Sequence, residues 1–92
     1  MGRKKRLVRV FFNTYYEDVA RDVVKGLEGL GYPVRMSASR VVPELYYAEI
    51  EVGEGDLGKA VEEARRLLEE AKARHGGLLF GVKVYGVDAS SE

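Results

Sequence analysis

The sequence predicts an α+β domain with the element order βαββαβ, and three observations lead to it. Residues 57–75 place apolar side chains at Leu57, Ala60, Val61, Ala64, Leu67, Leu68 and Ala71, the spacing of one face of a 3.6-residue helix. A second helical pattern runs through Tyr16, Val19, Ala20, Val23, Val24, Leu27 and Leu30. Flanking these are four short segments, rich in β-branched and aromatic residues or strictly alternating, each of strand length. A one-sided helix must lie on an apolar surface, and the strands supply one.

The first strand is expected over residues 6–13, with Val8, Val10 and Phe12 on one face and Leu7, Arg9, Phe11 and Asn13 on the other. Apolar side chains on both faces place it inside a sheet rather than at an edge. Thr14 and Glu17 have the spacing of a capping box, with Thr14 as N-cap. The first helix is therefore expected near residues 15–30. Gly26 and Gly29 weaken its last turns by up to about 1 kcal/mol each relative to Ala. Gly31 ends it and Pro33 prevents its return.

Residues 33–40 alternate, with Val34, Met36 and Ala38 on one face and Arg35, Ser37 and Ser39 on the other. After a connection at residues 41–44, residues 45–52 alternate again. Tyr46, Ala48, Ile50 and Val52 point inward there, and Leu45, Tyr47, Glu49 and Glu51 outward. The turn Gly53, Glu54, Gly55 leads into the second helix, which Asp56 can cap and which Gly76 and Gly77 stop. Its polar face carries Glu62/Arg66, Arg66/Glu70 and Glu70/Arg74 at i,i+4 spacing. Each such pair adds at most a few tenths of a kcal/mol. The last strand is expected over residues 78–87, with Phe80, Val82 and Val84 inward and Gly81, Lys83 and Tyr85 outward. Residues 88–92 read as a polar, fraying tail.

In a compact chain this order resolves to a four-stranded antiparallel sheet with both helices on one face, the ferredoxin-like arrangement. Right-handed crossovers put the first and third strands at the centre and the second and fourth at the edges. The core is then Val8, Val10, Phe12, Val23, Leu27, Ile50, Val61, Leu68, Val82 and Val84. One such domain spans residues 1–92, with residues 1–5 a flexible basic arm.

Composition narrows the function classes. With no Cys, neither a disulfide framework nor a thiolate metal site can form. No apolar run reaches the roughly 20 residues that span a bilayer, and the basic N-terminus is not followed by a signal-peptide stretch. These features describe a cytoplasmic protein with no membrane, metal or cofactor partner. The chain has no Gln, one Asn (Asn13) and many Arg, Lys and Glu in helical pairs, as in a hyperthermophile protein. Its net charge is zero, yet residues 1–9 contain Arg3, Lys4, Lys5, Arg6 and Arg9 with no acid. Such an arm either solubilises a terminus or attracts phosphate.

The sheet face without helices carries Arg9, Phe11, Arg35, Tyr47, Lys83 and Tyr85, with Glu49 and Glu51. Aromatic residues on the two central strands, flanked by cations, make a platform on which bases can stack. Val10-Phe11-Phe12 and Tyr47-Ala48 resemble the first- and third-strand motifs of RNA-recognition modules, which use this topology. The resemblance implies a single-stranded RNA or DNA partner. The sequence departs from those motifs at Glu44 and Leu45, where they have a basic residue and Gly, and at Glu49, where they have a second aromatic. The same uncovered patch also suits association with a second copy of the chain.

Catalytic constellations are absent from the sequence. A ferredoxin-like chain of this length is similar to the acylphosphatases, but the first loop, Asn13-Thr14-Tyr15, has neither the Gly nor the Arg of their phosphate cradle. There is no complete P-loop. The one imidazole, His75, falls in the last turn of a helix, where a cation complements the dipole. The sequence thus predicts a small non-enzymatic domain that self-associates through its open face or an edge strand. Single-stranded nucleic-acid binding and small-ligand-binding regulation are its alternatives.

Overall fold

The computed structural model describes residues 4–53 and 55–90. Arg3 of the basic arm, Glu54 of the turn, and Ser91 and Glu92 of the tail lie outside the described residues. The elements are β1 (Lys4–Asn13), α1 (Glu17–Glu28), β2 (Val34–Ala38), β3 (Leu45–Val52), α2 (Leu57–His75), a 3-10 turn (Gly76–Leu78) and β4 (Phe80–Ser90). The four strands form one antiparallel sheet in the order β2-β3-β1-β4. The fold is ferredoxin-like. No helix among the described residues is long and apolar enough to cross a membrane.

The two-faced first strand is central, as its apolar residues demand. Val8, Val10 and Phe12 are fully buried and meet Ile50, Ala48 and Tyr46 of β3 in register. Onto this face α1 lays Val19, Ala20, Val23 and Leu27, and α2 lays Ala60, Ala64, Leu68 and Ala71. The three alanines let α2 sit close to the sheet. Leu57 and Val61 fit over Gly86 of β4, and Leu67 fits over Gly26 of α1, where an added Cβ would lie 2.9 Å from its Cδ1. Gly26 therefore serves the contact between the two helices. Val61, Val82 and Val84, expected in the core, are partly buried at its margin.

Four local expectations are corrected. The first helix starts at Glu17 with Tyr16 at the N-cap and no side-chain cap, so Thr14 and Glu17 do not form a capping box. Thr14 is instead fully buried in the turn, donating its N–H to Glu44 O at 2.9 Å and accepting Tyr16 N–H on Oγ1 at 3.2 Å. Burial against the start of β3 outweighs capping there. Asp56 holds the N-cap position of α2 without a side-chain bond. The second strand ends at Ala38, because Ser39 Oγ turns back to accept the N–H groups of Val41 and Val42. The fourth strand runs to Ser90, well past the end of its alternating pattern.

A further correction concerns the start of β4. Asn13 pairs with Phe80 but Phe11 pairs with Lys83, so Gly81 and Val82 together oppose Phe12. This is a β-bulge, with Gly81 at φ 60°. One extra residue moves Phe80 to the open face beside Asn13, where it meets Tyr15 at a ring-centroid distance of 5.7 Å. Leu79, fully buried, takes the core place expected for Phe80.

Candidate functional site

The antiparallel registers set the open face out in rows. Arg35, Glu49, Arg9 and Tyr85 form one row across all four strands. Ser37, Tyr47, Phe11 and Lys83 form the next. The six residues expected on this face therefore gather in two adjacent rows, with Glu49 among them. No helix among the described residues covers them, and Tyr85 is 40% exposed.

Phe11 sits between two rings. Its centroid is 4.8 Å from that of Tyr47 on one side and 6.0 Å from that of Tyr85 on the other. Because β3 and β4 flank β1, the two tyrosines stand on opposite sides of the phenylalanine across the sheet. Phe11 thus already makes ring contacts on both sides, which compete with the stacking of a base. Glu49 and Glu51 on the same face also disfavour a phosphate backbone.

The polar groups are tied to one another. Tyr47 donates its hydroxyl to Glu49 Oε2. Burial, that bond and the Glu49 charge push the Tyr47 hydroxyl up to about 12, so it stays a neutral donor at physiological pH. The Arg9 guanidinium is held protonated above its usual range, first by its hydrogen bond with Tyr85 and then by Tyr47 and Glu49. Its Nε is shielded from solvent with no acceptor in reach among the described residues. Glu49 is flanked in its row by two cations, Arg9 and Arg35. Lys83 has no ion-pair partner among the described residues.

Two features of this face had no reliable sequence signal. One is the hydrogen bond between Tyr47 and Glu49, although their i,i+2 spacing on a strand does put both on one side. The other is a hollow at the bulge, lined by Phe11, Leu45, Gly81, Lys83 and Tyr85, with a volume of about 420 Å³. Among the described residues, no group of three or more acidic, His or Cys side chains is placed to hold a metal ion.

On the helical layer, Asp22 of α1 accepts from Arg74 Nη2 at 2.8 Å and from His75 Nε2 at 2.7 Å, both on α2. The imidazole expected only to complement a helix end thus joins the two helices, and Arg74 reaches Asp22 rather than Glu70. The bond from His75, then that from Arg74, holds the Asp22 carboxyl below the ordinary carboxylate range. A lowered folded-state pKa stabilises the fold above the unfolded value, and the gain is lost as pH falls through the folded value. Asp22→Asn should therefore lower the melting temperature at pH 6–7, with the deficit shrinking below about pH 4. The carboxyl is 41% exposed, so solvent screening keeps the effect within about 1 kcal/mol. Melts of both proteins across pH check it; a deficit constant down to pH 2 would assign the loss to something other than the charge.

No protein-family model matches the chain, and no curated protein matches it. Solved structures do. A "putative PII-like signaling protein" from Thermus thermophilus matches 98% of this chain and 90% of its own, at 15% identity and a TM-score of 0.57. The apo form of CPII, a nitrogen regulatory PII-like protein from Thiomonas intermedia K12, covers 100% and 98% at 12% identity and a TM-score of 0.48. The same protein bound to ADP, AMP and bicarbonate covers 97% and 98% at 17% identity and 0.40. The likeness to the Thermus protein is one of fold. The two CPII overlaps are too loose to bear on the site.

Proposed function

We propose that this chain is a cytoplasmic, non-enzymatic regulatory domain that binds a small ligand and acts as a homo-oligomer. The observation that carries the reading is the overlap of nearly the whole chain with a protein described as PII-like and signalling. The open sheet face suits the role, because its three rings and Glu49 are already fixed by mutual contacts and a ligand need not order them. For self-association the fold offers two edges of unequal length. β4 is an edge strand of eleven residues, against five for β2. In this proposal β4 makes the contact between copies and leaves the open face to ligand.

Two measurements test it. Thermal shift against a panel of small anionic metabolites should show at least one compound that raises the melting temperature in proportion to the logarithm of its concentration. Light scattering at micromolar concentration should give a mass above that of one chain. A flat panel removes the regulatory role. A strictly monomeric protein removes the assembly.

A further inference from the structure

The hollow at the β4 bulge offers a site with its own chemistry. Three features converge there. The bulge places two residues of β4, Gly81 and Val82, against one of β1. The Asn13 carboxamide spans the irregularity, donating from Nδ2 to Phe80 O at 3.3 Å and to Gly81 O at 3.4 Å. Bulges of this kind re-aim neighbouring side chains and occur beside binding sites. The result is a concavity of about 420 Å³, within the roughly 300–1,000 Å³ range of small-molecule sites.

The lining divides cleanly. Leu45 and the rings of Phe11 and Tyr85 supply apolar wall, and Gly81 contributes backbone without a side chain. Lys83 brings a positive charge that no acid among the described residues neutralises. The nearest acid in the adjoining row, Glu49, is occupied by the Tyr47 hydroxyl and flanked by Arg9 and Arg35. Tyr85 stands beside Arg9 in the same row, and its phenol can accept one hydrogen bond while donating another. An apolar wall with two donors on one side recognises a flat, apolar molecule with a single anionic group.

We infer that this hollow binds a small aromatic anion, with the ring against Leu45 and Tyr85 and the carboxylate or phosphate on Lys83 and the Tyr85 hydroxyl. The inference rests on the regulatory reading above and names the ligand class and site for it. An exposed lysine gives a modest electrostatic gain, so selectivity for the anion over a neutral analogue should be roughly fivefold.

The test uses 2-naphthoate, its neutral analogue 2-naphthamide, and acetate, titrated into the 15N-labelled full chain. The expected result is that naphthoate shifts the amides of Gly81, Lys83 and Tyr85, naphthamide shifts them more weakly, and acetate alone barely shifts them. Lys83→Gln, at an exposed position, should lower naphthoate affinity about fivefold and leave that for naphthamide unchanged. Tyr85→Phe should retain naphthamide affinity and lose part of that for naphthoate. Shifts confined to other parts of the sheet, no shift at several millimolar, or equal naphthoate affinity in the Lys83→Gln variant would each overturn the site. If a metabolite from the thermal-shift panel stabilises wild type and Lys83→Gln alike, the regulatory role stands and this site falls. If naphthoate binding depends on Lys83 but no metabolite in the panel stabilises the protein, the site stands and the regulatory role falls.

Discussion

Leu68→Asp should abolish the cooperative thermal transition at neutral pH. Leu68 is 1% exposed at the centre of the α2 face that meets the sheet. Removing such a side chain to Ala costs about 2–5 kcal/mol through lost transfer energy and the cavity left behind. Aspartate adds a carboxylate that either enters an apolar core without a partner or lifts α2 from the sheet. A domain of this size has a total stability of roughly 5–14 kcal/mol. The two penalties together remove most of that. Leu68→Ala provides the graded control, with a melting temperature lowered by about 10–25 °C. If Leu68→Asp melted like the parent, α2 would not pack on the sheet through this face.

Gly81→Ala should give the next largest loss, about 2 kcal/mol or more. Two penalties combine at this position. The backbone sits at φ 60°, where a Cβ costs roughly 1–2 kcal/mol. The new carbon would also fall 2.3 Å from Asn13 Nδ2, displacing the carboxamide that spans the bulge. Gly31 makes a useful comparison, because its φ is 92° but an added Cβ meets nothing within 4 Å. Gly31→Ala should therefore show only the backbone term. Urea denaturation of the two variants separates strain from collision. Combining Gly81→Ala with Asn13→Gly should recover the collision part, a coupling that a double-mutant cycle reads directly. Equal losses at Gly31 and Gly81, with no coupling to Asn13, would mean that the bulge does not depend on that contact.

Much of the architecture follows from local pattern. The apolar spacing from Leu57 to Ala71 requires a helix, and the second helix runs over Leu57–His75 as that spacing implies. The two-faced β1 and the alternating β3 hold the centre of the sheet, because burying both faces of β1 leaves it no edge position. The six polar and aromatic residues of the open face could be placed together from the same alternation, since side chains on a strand repeat every two residues. Hydrophobic periodicity is a short-range property written in consecutive residues, so the chain carries it openly.

What the sequence by itself determined, then, is the type and order of the elements and the face on which most side chains stand. Only the tertiary structure decided that Thr14 is buried against Glu44 rather than capping α1, and that Asp22 meets Arg74 and His75 from 52 and 53 positions away. It also decided that Phe11 makes ring contacts with both Tyr47 and Tyr85. The bulge is the clearest case. Alternation counted along β4 alone puts Phe80 in the core. Pairing with β1, 67 residues earlier, inserts one residue at Gly81–Val82, sends Phe80 to the open face and buries Leu79. A strand's side-chain period is two, so a single inserted residue reverses every assignment beyond it. Where that residue falls depends on contacts between distant segments, and those exist only once the chain has folded.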